Sequence, residues 1–274
     1  MAAMKENPIK PKMDMQQFYD EADPKLSEDA RSILTKYSGI PAAELIPHLR
    51  TVRDKAWNLF KYPCVGQWAF IRFGILKDPV YPSIVERLQD GQTLLDLACC
   101  FGQDMRKLVV DGAPSENLTG TELEGGFVNL GYELFNDRDK LKSHFIIGDF
   151  FDKTTLNPER DTFDMIHAAS FFHLFSRDEQ VEAVTKALRS LKSKPGSMLF
   201  GRQTAVANAG AIKLSATRSG EMYRHTPESW KELLEQVVKQ MALDAECSVE
   251  PTGDQKLTTG VGIWNMVRFC VILR

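Results

Sequence analysis

Short apolar runs alternate with helical patterns from residue 91 to the end of the chain, and this alternation constrains the fold most strongly. Each predicted strand is short and apolar, and most are followed by a stretch with apolar residues at helical spacing. Strands that alternate with helices form βαβ units, whose crossovers are right-handed and whose sheet is parallel. We therefore predict an α/β fold with a doubly wound, Rossmann-like sheet.

The individual elements follow from the same pattern. Predicted strands cover residues 93–98, 118–122, 144–148, 163–168 and 197–202, and residues 261–273 close the chain in a terminal hairpin. Predicted helices cover residues 102–110, 125–135 and 178–191, and one more begins at Thr226, where a capping residue precedes Pro227. Residues 203–223 have few large apolar side chains. So long a loop in a compact domain is typical of a lid.

The first third of the chain differs from the rest. Polar, helix-like stretches lead into an aromatic segment that is interrupted by Pro63, Pro79 and Pro82, and Asp90-Gly91 forms a turn signal before the first strand. We predict a helical N-terminal cap over residues 1–90 and a ligand-binding domain over residues 91–274.

Composition excludes several classes of protein. The 34 Lys and Arg against 37 Asp and Glu give a net charge of −3, too balanced to bind nucleic acid through bulk electrostatics. Hydrophobic residues make up 43% of the chain, too many for disorder. No apolar run reaches the roughly 18–20 residues that span a bilayer, and the polar N-terminus lacks the apolar centre of a secretory signal. Five cysteines without a CxxC pair predict reduced thiols, a cytoplasmic location and no metal site.

Polar residues stand in order where the predicted strands end. Asp96 and Gly102 follow the first strand, Glu122 ends the second, and Asp149 follows the third. Ligands of such sheets bind beyond the carboxyl ends of the strands. An acid 20 residues after Gly102 has the spacing that suits ribose hydroxyls.

The loop after the first strand separates two kinds of nucleotide ligand. A dinucleotide dehydrogenase needs GxGxxG, because its helix N-terminus holds a pyrophosphate. Here Ala98 and Cys100 stand where glycines would be, and Asp96 adds a negative charge beside them. A carboxylate at this point suits a cation, which favours the amino-acid and sulfonium end of S-adenosylmethionine.

At these residues the chain resembles class I S-adenosylmethionine-dependent methyltransferases, which have a seven-stranded, mostly parallel sheet. More narrowly, it is similar to fungal secondary-metabolite methyltransferases of the austinol and terretonin meroterpenoid type. The resemblance extends from Tyr62 to Trp230 through YPCVGQWAF, LLDLACCFGQDMRKLVVDGAP, NLTGTELEGGFVNLGYELFNDRD, FIIGDFF and RHTPESW. General class I sequences have glycine at positions 98 and 100. The resembled group shares the departure at Cys100, whereas Ala98 departs from the usual glycine.

The resemblance implies cofactor contacts for seven residues. Asp96 would lie near the methionine ammonium, and Ala98 and Gly102 would line the methionine and ribose. Glu122 would accept hydrogen bonds from the ribose hydroxyls. At the adenine, Leu123 would pack on the ring, Asp149 would accept from the amino group, and Phe150 would lie against the ring.

Candidate residues for contact with the molecule that accepts the methyl group are scattered along the chain. His173 follows the fourth strand and is the candidate catalytic or acceptor-orienting residue, whereas His167 within that strand is expected to be a core histidine. Arginines in or beside residues 203–223, at positions 202, 218 and 224, suit a bidentate clamp on a carboxylate. His225, and Gln67 and Trp68 of the cap, are further candidates, while Phe70 and Phe73 are expected to be core residues.

The sequence thus predicts an O-methyltransferase of secondary metabolism, acting on a small polyketide or meroterpenoid. Methyl-ester formation on a carboxylate is favoured by the resemblance, and methylation of a pyrone or phenol hydroxyl is the close alternative. A cofactor-bound protein that transfers no methyl group is a further possibility. No membrane span or nucleic-acid partner is expected, and the apolar terminal strands would suit a homodimer.

Overall fold

A computed structural model describes residues 15–159, 162–213, 219–253, 257–259 and 262–274. Its main sheet has the strand order β3-β2-β1-β4-β5-β10-β8, and a short strand, β9, pairs with β10. Strands β1 to β5 are parallel to one another, whereas β10 is antiparallel to both β5 and β8. The predicted seven-stranded, mostly parallel sheet is therefore confirmed.

The first strands are short, and β5 and β10 are longer. The strands are β1 Leu94–Leu97, β2 Leu118–Glu122, β3 His144–Ile147, β4 Met165–Ala169, β5 Met198–Ala205, β6 Gly210–Lys213, β7 Glu221–Arg224, β8 Ala245–Pro251, β9 Leu257–Thr259 and β10 Gly262–Leu273. All four residues of β1 are buried, as expected for the centre of a sheet that helices cover on both faces.

Helices cover the sheet and build the cap. They are α1 Glu28–Ser32, α2 Leu45–Leu59, α3 Pro63–Gly66, α4 Tyr81–Gln89, α5 Gln103–Val110, α6 Gly125–Phe135, α7 Arg177–Arg189 and α8 Pro227–Gln240. Ser176 and Thr226 begin α7 and α8 with capping boxes, in which the side chains of the first and fourth residues bond reciprocally to backbone N–H groups. The sequence signal at Thr226 therefore marks a true helix start.

The cap shares its hydrophobic core with the sheet domain. Leu49, Val52 and Trp57 of α2 lie in one cluster with Phe127 and Leu134 of α6. Two other clusters fill the faces of the sheet, one beneath α7 and α8 and one beneath α4 and α5. Burying apolar area against α6 fixes the cap on the sheet domain.

Residues 203–223 are not the single long loop that the sequence predicts. Strand β5 continues to Ala205, and β6 and β7 then form an antiparallel two-stranded ribbon. The Tyr223 N–H donates to the carbonyl of Phe175 (2.8 Å), and the Val206 N–H donates to that of His225 (2.9 Å). Small residues such as Gly210 and Ala211 hide the strand pattern in the sequence, and pairing with a distant segment supplies the order.

Candidate active site

The loop between β1 and α5 has an unusual backbone. Ala98, Cys100 and Gly102 all have left-handed conformations, with φ of 53°, 55° and 63°. A left-handed residue with a side chain costs about 1–2 kcal/mol, so two of these positions are strained. The loop thus adopts a backbone that glycine would adopt freely, although two of the three residues are not glycine.

Glu122 at the end of β2 holds this loop. Its carboxylate is 7% exposed and accepts from the Cys100 N–H (2.9 Å) and the Glu124 N–H (3.2 Å). Burial raises the pKa of Glu122, and these backbone hydrogen bonds oppose the shift. The structure therefore brings Glu122 together with the loop that contains Ala98 and Gly102.

The cap brings an aromatic side chain to the same place. Tyr62 lies close enough to Glu122 and Cys100 that their charges, together with the larger effect of burial, raise the pKa of its phenol. Its ring packs on Phe127 of α6, with 5.6 Å between the ring centroids. Sequence reasoning did not single out Tyr62, because no local spacing connects it to residues 60 positions away.

The ends of β2 and β3 present apolar side chains to solvent. Leu123 is 63% exposed and Ile147 is 49% exposed, which suits contact with a flat apolar ring. Asp149 is also exposed, and its carboxylate accepts from the Phe151 N–H (2.9 Å). Phe150 is buried in the core beneath α7, edge-on to Phe171 at 5.2 Å.

Asp96 has a partner within the protein that the sequence did not predict. Its carboxylate is 3% exposed, and its Oδ1 lies 2.8 Å from Nδ1 of His167 on the neighbouring strand β4. Burial alone would lower the pKa of His167, but Asp96 raises it above its ordinary value. His167 is thus a hydrogen-bonded core histidine, as the sequence predicts. Asp96 lies two residues before Ala98, the first left-handed residue of the loop.

His173, just after β4, and Arg224, at the end of β7, lie together. His173 follows β4 in a short 3-10 turn, and the backbone N–H of Thr204 approaches its Nδ1 at 3.5 Å. Nη1 of Arg224 donates to the carbonyl of His173. Burial, and then the charge of Arg224, hold the pKa of His173 well below its usual range. Burial also lowers the pKa of Arg224, to about 10, so its guanidinium stays charged at neutral pH.

His225 lies beside the start of α8. Its Nδ1 is 2.8 Å from Oγ of Ser229, and its ring packs on Tyr223 and Trp230, with centroid separations of 4.7 and 5.5 Å. Burial lowers its pKa to about 4, with a smaller effect of Arg177. Its Nε2 is buried, with no hydrogen-bond partner among the residues that the structure describes.

The remaining predicted residues have partners of their own. Gln67 ends α3 and is half-buried, and its carbonyl accepts from Arg72 (2.8 Å). Trp68 belongs to the core of the cap, where its indole N–H donates to the carbonyl of Ala22 (3.1 Å). The guanidinium of Arg202 lies directly against Gly74 of the cap.

Four further predictions concern the same region and the whole chain. Phe70 and Phe73 are buried in the cap's core, as expected. Arg218 lies outside the described residues. Within the described ranges, no group of three His, Cys, Asp or Glu side chains is arranged to hold a metal ion. Over the same ranges, no helix is both long and apolar enough to cross a membrane.

Comparison with known proteins identifies the class. Residues 94–194 match the model of a methyltransferase domain, and residues 18–71 match that of a meroterpenoid methyltransferase N-terminal domain. The chain is thus an S-adenosylmethionine-dependent methyltransferase, with the cofactor that the sequence predicts.

Individual relatives narrow the class to a family. The chain is 41% identical over 240 residues to the O-methyltransferase phiE of a fungal species, covering 85% of this chain and 80% of the relative. It is 40% identical over 217 residues to the asnovolin E/chermesin D methyltransferase nvfJ of Aspergillus novofumigatus, covering 78% and 77%. Methyltransferase trt5 of Aspergillus terreus is 38% identical over 229 residues, covering 82% of each chain. The protein belongs to this family of fungal secondary-metabolism O-methyltransferases.

A solved structure shares the fold. In the solved complex between the Haloferax volcanii Trm112 methyltransferase activator and a protein described as a methyltransferase, one chain superimposes with a TM-score of 0.50 at 14% identity, covering 89% of this chain and 97% of its own length. At this identity the likeness concerns the fold alone.

Proposed function

We propose that this enzyme transfers a methyl group to an oxygen of a small meroterpenoid or polyketide, and that the oxygen belongs to a carboxylate. The observation that carries the choice of acceptor is the environment of His173. This histidine has a depressed pKa and a charged arginine, Arg224, as its neighbour.

The cofactor half of the proposal rests on the residues around the β1–α5 loop. Glu122 would accept from the ribose hydroxyls, because its buried carboxylate already accepts from two N–H groups and keeps further lone pairs. Ala98 and Gly102 would line the methionine and ribose. Asp96, bonded to His167, would act on the methionine ammonium through its charge or through water.

The adenine would lie at the exposed ends of β2 and β3. Leu123 would pack on the ring, and the exposed Asp149 would accept from its amino group. Phe150 would support the adenine pocket from the core, edge-on to Phe171. When bound, the cofactor supplies a methyl group already activated on a sulfonium. The residues of the chain therefore mainly need to hold the acceptor oxygen in line, which contributes on the order of 7–11 kcal/mol.

The tautomer of His173 favours an acceptor that needs no base. If Nδ1 accepts from the Thr204 N–H (3.5 Å), the proton of the neutral ring is on Nε2. Nε2–H can then donate to an acceptor oxygen and orient it, but it cannot take a proton from a hydroxyl. A carboxylate is ionised at neutral pH and needs no such transfer.

The charge of Arg224 favours the same acceptor. Its guanidinium is 3% exposed and is engaged with the carbonyl of His173, so its positive charge lies in a region of low dielectric. An anion beside His173 is stabilised by this charge, whereas a neutral phenol gains little. His225 and Gln67 are proposed to contact the rest of the acceptor.

The test uses methyl-labelled cofactor with matched acceptors: a meroterpenoid acid, the same compound with its acid already esterified, and a pyrone or phenol analogue. We expect label only in the free acid, in a product that mild alkali hydrolyses, since esters are labile and methyl ethers are not. An alkali-stable product from the hydroxyl analogue would show that the acceptor oxygen belongs to a hydroxyl and not to a carboxylate. Bound cofactor that is never converted with any acceptor would contradict methyl transfer itself.

Two further expectations accompany this proposal. We propose a cytoplasmic location, since all five cysteines are free thiols. A homodimer remains a prediction that light scattering of the purified protein would test.

A further inference from the structure

A buried ion pair lies beneath the proposed cofactor loop, and the chemistry above does not use it. Arg106 of α5 and Asp137, just after α6, have side chains with 0% exposure. The guanidinium bonds to the carboxylate at two points, Nε to Oδ2 (2.8 Å) and Nη2 to Oδ1 (2.9 Å). Burying two charges carries a large desolvation cost, so a pair this deep calls for a physical reason beyond stability.

The third nitrogen of Arg106 reaches the loop itself. Nη1 donates to the carbonyl of Phe101 (2.7 Å) and, less closely, to that of Gly102 (3.3 Å). These carbonyls belong to the segment with the three left-handed residues. A Cβ at Gly102 would lie 2.8 Å from this same nitrogen, and a Cβ at Gly131 of α6 would collide with the Phe101 carbonyl. Glycine at both positions leaves the space in which Arg106 and α6 contact the loop.

The cap joins the same group from the other side. The Tyr37 hydroxyl donates to Oδ2 of Asp137 (2.8 Å), and burial together with this carboxylate raises the pKa of the phenol. Lys140 Nζ donates to the carbonyl of Tyr37 (3.3 Å) and Asn136 Nδ2 to that of Ser38 (3.3 Å). An unbroken series of hydrogen bonds therefore connects the cap to the β1–α5 loop.

We propose that Tyr37, Asp137 and Arg106 form a positioning chain that holds the β1–α5 loop in its cofactor-binding conformation and makes that conformation depend on the seated cap. None of the three touches the cofactor in this proposal. They act through the Phe101 and Gly102 carbonyls. Strained residues persist where surrounding contacts over-determine them, and the guanidinium supplies such contacts. The inference rests on the proposed cofactor role of this loop.

The chain offers a matched control for Tyr37. The Tyr81 hydroxyl donates to Asp111 (2.6 Å), so it forms the same kind of partly buried tyrosine–aspartate bond, but just beyond the C-terminal end of α5. Tyr37→Phe and Tyr81→Phe each remove one hydroxyl and keep the ring. Both should lower the melting temperature by a similar few degrees, since each loses one charge-assisted hydrogen bond.

Cofactor affinity separates the two variants. We expect Tyr37→Phe to raise the Kd for S-adenosylhomocysteine, measured by calorimetry, by about 3- to 10-fold. This is less than the full effect of one charge-assisted hydrogen bond, because Tyr37 acts on the loop only through Asp137 and Arg106. It should also raise KM for S-adenosylmethionine with little change in kcat. Tyr81→Phe should leave Kd within about 2-fold of wild type, below the effect of one lost hydrogen bond.

A second variant tests Arg106, which connects Asp137 to the loop in the positioning chain. Arg106→Lys keeps the charge opposite Asp137 but loses the planar fork that bonds carboxylate and carbonyl together. We expect a larger rise in Kd than in Tyr37→Phe, while the far-ultraviolet dichroism stays that of an α/β fold.

The outcomes distinguish a failure of the positioning chain from a failure of the proposed cofactor site on which it rests. Equal Kd values in Tyr37→Phe and Tyr81→Phe, whether both native or both weakened, would overturn the positioning chain. If Glu122→Ala weakens cofactor binding while Tyr37→Phe does not, the positioning chain is wrong and the proposed cofactor site stands. If Glu122→Ala binds with native affinity, the proposed cofactor site itself is wrong.

Discussion

The cofactor half and the acceptor half of the proposed active site are built in different ways. In the cofactor half, a single loop and the end of the adjacent strand bond directly, through the Cys100 N–H and Glu122. In the acceptor half, His173, Thr204 and Arg224 come from a turn, the end of β5 and a separate ribbon, up to 51 residues apart. Neighbouring parallel strands impose the first arrangement. In the second they bring only the ends of β4 and β5 together, and packing of the ribbon adds Arg224. Variants in the two halves should therefore fail in different ways.

The largest expected effect is on cofactor binding, from Glu122→Ala. Loss of charge-assisted hydrogen bonds to ribose should weaken affinity by about 2–4 kcal/mol, roughly 30- to 1,000-fold in Kd by calorimetry. Glu124→Ala is the matched control, since that exposed carboxylate bonds only the Gly126 N–H (3.0 Å) among the contacts shown here, as the cap of α6. Glu124→Ala should lower the free energy of unfolding by about 1 kcal/mol and leave the cofactor affinity unchanged.

In the acceptor half we expect effects on turnover rather than on cofactor affinity. His173→Gln keeps an N–H donor but cannot act as a base, and His173→Ala keeps neither. If the histidine orients a carboxylate, Gln should retain activity within about 10-fold and Ala should lose more, because one hydrogen bond is worth about that factor. Loss of a general base would instead cost both variants roughly 10²-fold or more.

The pH profile of the wild-type enzyme sharpens the same test. Because burial and Arg224 hold the pKa of His173 well below its usual range, the ring stays neutral as pH rises from about 6 to 9. The kcat/KM for an acid should therefore be flat over that interval. A rising limb within that interval that disappears in His173→Gln would show that His173 titrates there as a base, which would contradict its lowered pKa and favour a hydroxyl acceptor.

The smallest expected effect comes from relieving the backbone strain at Ala98 in the β1–α5 loop. Ala98→Gly removes a left-handed strain of about 1–2 kcal/mol but adds unfolded-state entropy worth about 0.4–1 kcal/mol. The net gain should raise the melting temperature by about 1–4 °C, with cofactor affinity nearly unchanged. Ala183→Gly, in the middle of α7, should lower it instead, because glycine costs about 1 kcal/mol in a helix. A drop in both variants would mean that Ala98 is not strained.

Much of the fold was predictable because its signals are local. Strand β1 falls within the predicted residues 93–98, and Thr226 begins α8 as its capping pattern indicates. The β6–β7 ribbon was not predictable, since its strands are four residues long and partly made of small side chains. Its register depends on pairing with a segment that lies about ten residues further along the chain.

Side-chain partners were the least predictable part of the site. Asp96 stands at the predicted strand end, yet its carboxylate pairs with His167, 71 residues later. Arg224 was expected to clamp a substrate carboxylate, and the structure adds a contact that the sequence did not predict, between one of its nitrogens and the carbonyl of His173. Hydrogen-bond partners of this kind depend on where distant segments come together, so spacing along one segment does not reveal them.

The sequence by itself determined the class of fold, the order of its main strands and helices, and the positions at which strand ends present polar residues. These follow from hydrophobic periodicity and from capping and turn chemistry, which act over a few residues. Only the tertiary structure decided that Tyr37, Arg106 and Asp137 meet beneath the β1–α5 loop, and that His173 is neutral beside a charged arginine. Burial and charge proximity depend on segments up to 100 residues apart, which packing alone brings together.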